Sequence, residues 1–224
     1  IATLDILDEA GLGHAGTART PEEAAAATFY ETAGPTVAHI AATYWLNGLG
    51  TPEGKEWMAQ RIDVEAILEM AWGARREGAD LVVVSIHCCT EYRSEPTSDQ
   101  VELFEELIEN PWVDLVVGHH SHVVGPVAEI DGEYVIYGLG NLVSGQTHRQ
   151  DAREGVVAIV DAGWDGRRWR VTGVGAVPTF VEGRTYAIVP QAPGSPVAER
   201  TMGALGAYGV PVTQRSVEDI NDPA

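Results

Sequence analysis

The sequence predicts an α/β fold with parallel core strands and additional antiparallel strands. Two apolar runs, at residues 81–86 and 113–117, have the continuous hydrophobic character of strands that are buried on both faces. A helical pattern over residues 97–109 lies between them, and a strand, a helix and a strand at this spacing form a right-handed βαβ unit. Hairpin-like segments before and after this unit add the antiparallel strands.

Helices are predicted where apolar residues recur at helical spacing and glycine or proline marks an end. They cover residues 1–10, a short stretch opened by Thr20 and Pro21, residues 62–77, residues 97–109 and a short segment near 196–207. Antiparallel strands are predicted where alternating segments flank turn residues. They cover residues 28–32, 36–44, 127–130, 134–137, 155–160 and 169–174.

The length of 224 residues suits one sizeable domain with a small appendage. Residues 1–180 are predicted to form the domain and residues 181–224 a C-terminal extension that is partly irregular. The chain is expected to fray after Ser216, and Asn221-Asp222-Pro223 is not expected to hold regular structure.

The net charge of −19 arises from 33 acidic and 14 basic residues. Such a surface repels phosphates, so nucleic acid is not expected as a partner. The same charge favours cations near the protein. No stretch of 18 or more apolar residues occurs, so no membrane-spanning segment is predicted in this chain.

The two cysteines, Cys88 and Cys89, are adjacent. Neighbouring cysteines rarely bond to each other, so no disulfide is expected. Each is instead predicted to pack as a small buried residue, although either is also a soft metal ligand.

Histidines follow both apolar strands. His87 ends the first, and His119, His120 and His122 follow the second. Because ligands gather at the carboxyl ends of parallel strands, all four are expected at one edge of the sheet. In extended backbone, His120 and His122 would point the same way, as two ligands of one metal or of adjacent metals.

A single histidine at a strand end is more often a hydrogen-bonded structural residue than a metal ligand. Four clustered histidines reverse that judgement and favour a metal site. His14, His39 and His148 lie outside the cluster and are interpreted as structural or solvated.

Two glycines precede Asn141 in the stretch 137–142. They indicate either a close approach of the backbone to the histidine loop or a simple glycine turn between strands.

Residues 80–144 also carry a series of motifs: D-L-V-V-V-S-I-H-x-x-x-E-Y, P-x-x-x-Q, V-D-L-V-V-G-H-H-S-H-V and I-Y-G-L-G-N. In this order they resemble the CapA family of poly-γ-glutamate capsule biosynthesis proteins, and the likeness extends over roughly residues 1–180. The resemblance implies a calcineurin-like metallophosphatase fold, a four-layer α/β/β/α sandwich.

Matching the motifs residue by residue makes His87, His120 and His122 the metal ligands. His119, Glu91 and Asn141 match residues that border the site, and none is assigned a catalytic role. The sequence departs from the family pattern where Cys88-Cys89 replaces Trp-Gly and Ser121 replaces Pro. Both changes alter the walls of the site.

The family's Gly-Asp and Asn-Asn-His motifs would lie before Ile1, so the fold is expected to be N-terminally incomplete here. Truncation is the favoured interpretation, and a degenerate member without full activity is the alternative. The fragment alone is expected to be inactive; the complete fold would be a phosphoesterase-like hydrolase.

The resemblance further implies divalent metal ions, two of them, as Mn, Fe or Zn. The expected partners are an anionic small-molecule or polymer substrate and membrane proteins of capsule synthesis. The family points to the cell envelope, with an N-terminal anchor. Three functions remain open: a metalloprotein of capsule polymer biosynthesis, a general metal-dependent phosphoesterase, and a non-catalytic module.

Overall fold

The computed structural model describes residues 1–220, so the expectation for Asn221-Asp222-Pro223 lies outside the described residues. The helices are α1 (Ala2–Glu9), α2 (Pro21–Ala24), α3 (Val64–Arg76), α4 (Ser98–Ile108) and α5 (Pro196–Leu205). Asp63 and Thr97 cap the N-termini of α3 and α4 with their side chains. Within residues 1–220, no helix has the length and the apolar content that crossing a bilayer requires.

Ten strands are described. They are β1 (Thr28–Tyr30), β2 (Val37–Thr43), β3 (Leu81–His87), β4 (Leu115–His119), β5 (Val127–Ile130), β6 (Glu133–Ile136), β7 (Glu154–Trp164), β8 (Trp169–Val181), β9 (Ile188–Pro190) and β10 (Val212–Gln214).

The first sheet has the order β1-β2-β3-β4-β6-β5. Its four central strands run parallel, and β1 and β5 pair antiparallel at the two edges. The predicted α/β class with a parallel core and added antiparallel strands is therefore confirmed. The sequence assigned β2 and β6 only to hairpins, however, and each also pairs in parallel with a core strand.

The second sheet has the order β10-β8-β7, and β9 pairs with β8. The β7–β8 hairpin is antiparallel, as predicted, but both strands are longer than the alternation suggested, and β8 reaches Val181. A bulge interrupts the pairing at Asp161 and Ala162, which obscures the period-2 pattern in the sequence.

Two apolar cores hold these layers together. Helices α3 and α4 cover one face of the first sheet, where Ile67, Phe104 and Leu107 are fully buried. The other face of the first sheet packs against the second sheet in a core that also includes Leu205 of α5. The central strands are thus buried on both faces, which explains their continuous apolar sequence.

A buried ion pair ties α3 to the two central strands. The Asp114 side chain is 1% exposed; it pairs with Arg75 of α3 and accepts a 2.6 Å hydrogen bond from the Val82 N–H. Because Asp114 directly precedes β4, this carboxylate fixes the start of that strand. The strand's far end carries the histidine loop.

Candidate metal centre

The strand register brings the histidines to one edge of the first sheet. β3 and β4 are adjacent and parallel, and their last residues, His87 and His119, are direct partners. The loop after β4 continues to His120 and His122, so the predicted gathering of all four histidines at one edge is confirmed. The turn after β3 is fixed to this loop, because the Tyr92 N–H donates to the Ser121 carbonyl over 2.7 Å.

The backbone of the histidine loop is not extended, so that expectation is wrong. His120 and His122 have φ values of 88° and 59°, which place both in the left-handed region. The two rings nevertheless lie close together, with centroids 5.9 Å apart. The ring of His87 lies 4.7 Å from that of His120.

Three side chains form a group with metal-ligand spacing. One ligand atom from each of Glu91, His120 and His122 lies within 4.8 Å of the other two. The Oε1 of Glu91 is 3.5 Å from the Nε2 of His122. Glu91, which the sequence placed at the border of the site, therefore lies at ligand distance from two histidines.

His87 adjoins this group but is not one of its three members. Its Nδ1 forms a 2.9 Å hydrogen bond with the Thr43 Oγ1. The Nε2 is the ring nitrogen that this bond leaves uncommitted.

Asn141 fixes the tautomer of His122. Its Nδ2 donates to the Ala152 carbonyl over 2.8 Å, which leaves Oδ1 as the acceptor facing the His122 Nδ1 at 2.9 Å. The neutral ring therefore carries its proton on Nδ1, and its Nε2 has the lone pair. A metal-binding histidine is typically held in this way.

His119 is not a member of the group of three. It lines a groove of about 360 Å³ on the first sheet, together with His39, Ser85 and His87. Burial, followed by the proximity of His87 and His39, lowers the pKa of His119 from 6.5 to about 4. His119 is thus a neutral histidine beside the site.

The electrostatics suit a cation. Burial, reinforced by His120 and His122, lowers the pKa of His87 below its ordinary value. Burial also lowers the pKa of His120, although the Glu91 carboxylate opposes that effect. These rings are therefore neutral at pH 7 and have lone pairs, while Glu91 adds a negative charge. Such a mixed nitrogen and oxygen set fits a divalent transition metal.

Three further side chains, which the sequence analysis did not identify, contact the site. The Tyr44 Oη lies 3.0 Å from the His120 Nε2. Tyr92 stacks on His122 with centroids 5.6 Å apart, and the Gln146 Nε2 lies 3.2 Å from the His122 Nε2. Tyr44 directly follows β2, and it would have been found if β2 had been placed in the parallel core. Gln146 lies in a loop, where no periodicity identifies it.

The adjacent cysteines are bonded to each other, so the prediction of no disulfide is wrong. Cys88 is buried, as predicted, and Cys89 has a φ of 86°. The left-handed turn at this position brings the two sulfurs together. The bond lies between His87 and Glu91 in the chain, in the segment that carries both to the site.

The glycines before Asn141 mark a close approach, which was the first of the two alternatives. A Cβ on Gly138 would lie 2.7 Å from the Ser121 Oγ, and one on Gly140 would lie 2.4 Å from the Glu154 carbonyl. The segment that leads to Asn141 therefore packs directly on the histidine loop.

The other histidines lie outside the group of three. His39 hydrogen-bonds to the Ser85 Oγ over 2.9 Å, and His14 lies beside Arg19 and Glu23. His148 is exposed.

Comparison with known sequences identifies relatives of this chain. A family model described as "Bacterial capsule synthesis protein PGA_cap" matches residues 1–146. The PGA biosynthesis protein CapA of Bacillus subtilis (strain 168) is 35% identical over 92 residues, which are 40% of this chain and 24% of that protein. The capsule biosynthesis protein CapA of Bacillus anthracis is 34% identical over 80 residues, which are 35% of this chain and 19% of that protein. The matches thus span about a quarter or less of these relatives.

Solved structures with a similar arrangement include two bacterial proteins. The sulfate thiohydrolase SoxB of Thermus thermophilus, in complex with glycerol, aligns with 82% of this chain and 29% of its own, at a TM-score of 0.45 and 16% identity. A putative 5'-nucleotidase from Staphylococcus aureus aligns with 73% of this chain and 31% of its own, at a TM-score of 0.43 and 17% identity.

Proposed function

The chain belongs to the family of bacterial capsule synthesis proteins (PGA_cap), and on that premise we propose that it is a CapA-like metalloprotein of poly-γ-glutamate capsule biosynthesis. The observation that supports a metal centre is the convergence of Glu91, His120 and His122 at the carboxyl ends of the parallel strands. We assign this edge of the sheet to a calcineurin-like metallophosphatase site.

The ligand set proposed here contains His120 and His122, as the motifs imply, with Glu91 as a third, direct ligand. His87 would serve a second metal beside the first, because its ring lies 4.7 Å from that of His120. Asn141 orients His122 because its Oδ1 accepts a hydrogen bond from the His122 Nδ1–H. When bound, divalent metals supply Lewis-acid polarisation of a phosphoryl or carbonyl oxygen. Mn, Fe and Zn all suit these donors.

The substrate proposed is anionic, a phosphoester or an end of a polyglutamate chain. The net charge of −19 repels a polyanion at long range, so its contact with the protein must be local and carried by the metal centre. The guanidinium of Arg149 lies nearby, 4.7 Å from the ring centroid of Tyr92, which in turn stacks on His122. Arg149 also pairs with Asp151.

A genetic experiment tests the capsule role. Cells that make the polymer with this protein are expected to lose γ-linked glutamate polymer when the gene carries His122→Ala, and to keep it with His148→Ala, an exposed histidine outside the group of three. Unchanged polymer with His122→Ala would rule out a function through this site.

A hydrolase assay separates the capsule role from a general phosphoesterase. Turnover of an aryl phosphate that requires added Mn²⁺ and is lost in His122→Ala would favour the general enzyme. In a form of the protein that also carries the family's Gly-Asp and Asn-Asn-His motifs, metal binding without such turnover favours the dedicated capsule protein. A chain that neither binds metal nor loses polymer in the variant would be a non-catalytic module.

A further inference from the structure

The side chain of Gln146 contacts the Nε2 of His122, the nitrogen that would bind the proposed metal. Its Nε2 is 3.2 Å from the His122 Nε2, while its Oε1 accepts a 3.0 Å hydrogen bond from the Tyr92 hydroxyl. The side chain is half-buried, and neither the family motifs nor the spacing of the histidines assigns it a role. An amide at this place either blocks the site or belongs to it.

The distances between the side-chain atoms favour Gln146 as a ligand of the metal site. Ligand atoms around one tetrahedral metal, at bonds of about 2.1 Å, lie roughly 3.4 Å from one another. The Glu91 Oε1 lies 3.5 Å from the His122 Nε2, and the Gln146 amide end lies 3.2 Å from the same nitrogen. Both side chains therefore reach the shell that the His122 Nε2 would share.

The hydrogen bonds of the Gln146 side chain are compatible with both orientations of its amide group. Without a metal, the His122 Nε2 has a lone pair, so the amide NH₂ faces it as a donor. With a cation there, the carbonyl oxygen is the favoured end. The Tyr92 hydroxyl both donates and accepts, so it can donate to Oε1 in the first orientation and accept from the NH₂ in the second.

We propose that Gln146 is a ligand of the metal site through its amide oxygen, and that Tyr92 positions it in both orientations. The proposal deepens the function proposed above and rests on it. The first shell then has two imidazole nitrogens, from His120 and His122, and two oxygens, from Glu91 and Gln146. Divalent Mn and Zn both accept such a set.

Metal titration calorimetry of the chelator-treated chain with Mn²⁺ and Zn²⁺ tests the assignment. We expect Gln146→Ala to weaken binding at least about tenfold. Gln146→Glu keeps an oxygen at the same reach and is expected to bind as tightly as wild type or more tightly. Tyr92→Phe keeps the stacked ring without the hydroxyl and should weaken binding less than Gln146→Ala. Gln150→Ala, an amide in the same loop that bonds Glu154, is the control and should bind as wild type does.

The variants separate a ligand from a hydrogen-bond donor. A donor role would be lost in Gln146→Glu as well as in Gln146→Ala, so equal weakening in both overturns the proposal. Wild-type affinity in Gln146→Ala also overturns it, while binding that is lost in His122→Ala leaves the proposed metal centre intact. If the wild-type chain binds neither metal, both proposals fail together.

Discussion

The Nδ1 of His122 lies 2.9 Å from the Oδ1 of Asn141, and the Asn141 amide is itself locked by its bond to the Ala152 carbonyl. This relationship determines which nitrogen of His122 is free. It also links the segment that follows β6 to the histidine loop that follows β4. In the proposed metal site, the nitrogen that His122 offers would therefore depend on a residue outside the proposed ligand set.

Removing that link should weaken metal binding. We expect Asn141→Leu to reduce metal affinity by about 10- to 100-fold, because His122 loses the acceptor that sets its tautomer. Asn141→Asp keeps an acceptor and should lose less. Calorimetric dissociation constants measure both. Wild-type affinity in Asn141→Leu would show that the tautomer is set elsewhere.

The charge of Glu91 should be visible in the titration of His120. In the metal-free protein, the carboxylate raises the pKa of His120 against the larger opposite effect of burial. Glu91→Gln is therefore expected to lower that pKa further, which NMR titration of the ring protons measures. Glu95→Gln, which removes an exposed carboxylate four residues further along the chain, is the matched control. A rise in the His120 pKa in Glu91→Gln would contradict the geometry.

The free energy of unfolding should decrease at acidic pH, where His119 becomes protonated. Its pKa in the folded protein is about 4, against an ordinary value of 6.5, so the unfolded chain binds more protons between these values. The free energy of unfolding is thus expected to be highest above pH 6.5 and to decrease toward pH 4, by roughly 3 kcal/mol at most from this group.

The slope of stability with pH identifies the residue. His119→Gln should flatten the decrease between pH 6.5 and 4 in denaturant unfolding, whereas His148→Gln, at an exposed position, should keep the wild-type slope. An unchanged slope in His119→Gln would assign the pH dependence to other groups, of which the half-buried His39 and His87 are the next candidates.

The ion pair between Arg75 and Asp114, at the start of β4, should contribute strongly to stability. Asp114→Ala leaves Arg75 without its carboxylate partner and the Val82 N–H without an acceptor, and we expect a loss of about 3–5 kcal/mol. Glu102→Ala, an exposed carboxylate on α4, should change stability by less than about 0.5 kcal/mol. Chemical denaturation measures both, and equal effects would contradict the role of Asp114.

The bond between Cys88 and Cys89 predicts a labelling pattern. Iodoacetamide should leave the unfolded, unreduced chain unlabelled and add two groups after treatment with a dithiol reductant, since both sulfurs are bonded. Mass spectrometry counts the groups. Two labels without reductant would show free thiols, as the sequence alone had suggested.

The sequence predicted those parts of the fold that local patterns encode. Helices α3 and α4 have caps and apolar faces, and β3 and β4 are apolar throughout, so the βαβ unit and its histidine edge followed directly. The parallel pairing of β2 with β3 and of β6 with β4 could not be predicted. Strand partners lie far apart in the chain, and the local pattern of a hairpin strand is the same whether or not its other edge pairs with a core strand.

The site was predicted to a similar extent. Clustering and motif order select His87, His120 and His122 as candidate ligands, and the structure places their rings close together. Asn141, expected to border the site, contacts His122. The left-handed backbone at His120 and His122 could not be predicted, because non-glycine residues rarely adopt it. The close contact of Gln146 depends on how its loop folds over His122, which no local pattern specifies.

The central claim is that Glu91, His120 and His122 bind a metal ion. Anomalous diffraction from crystals of this chain grown with Mn²⁺, collected on both sides of the Mn absorption edge, tests it most directly. A peak between these three side chains, absent in crystals of His120→Ala, is the predicted result. A difference map with no peak there, at a Mn²⁺ concentration that saturates binding in solution, would contradict it.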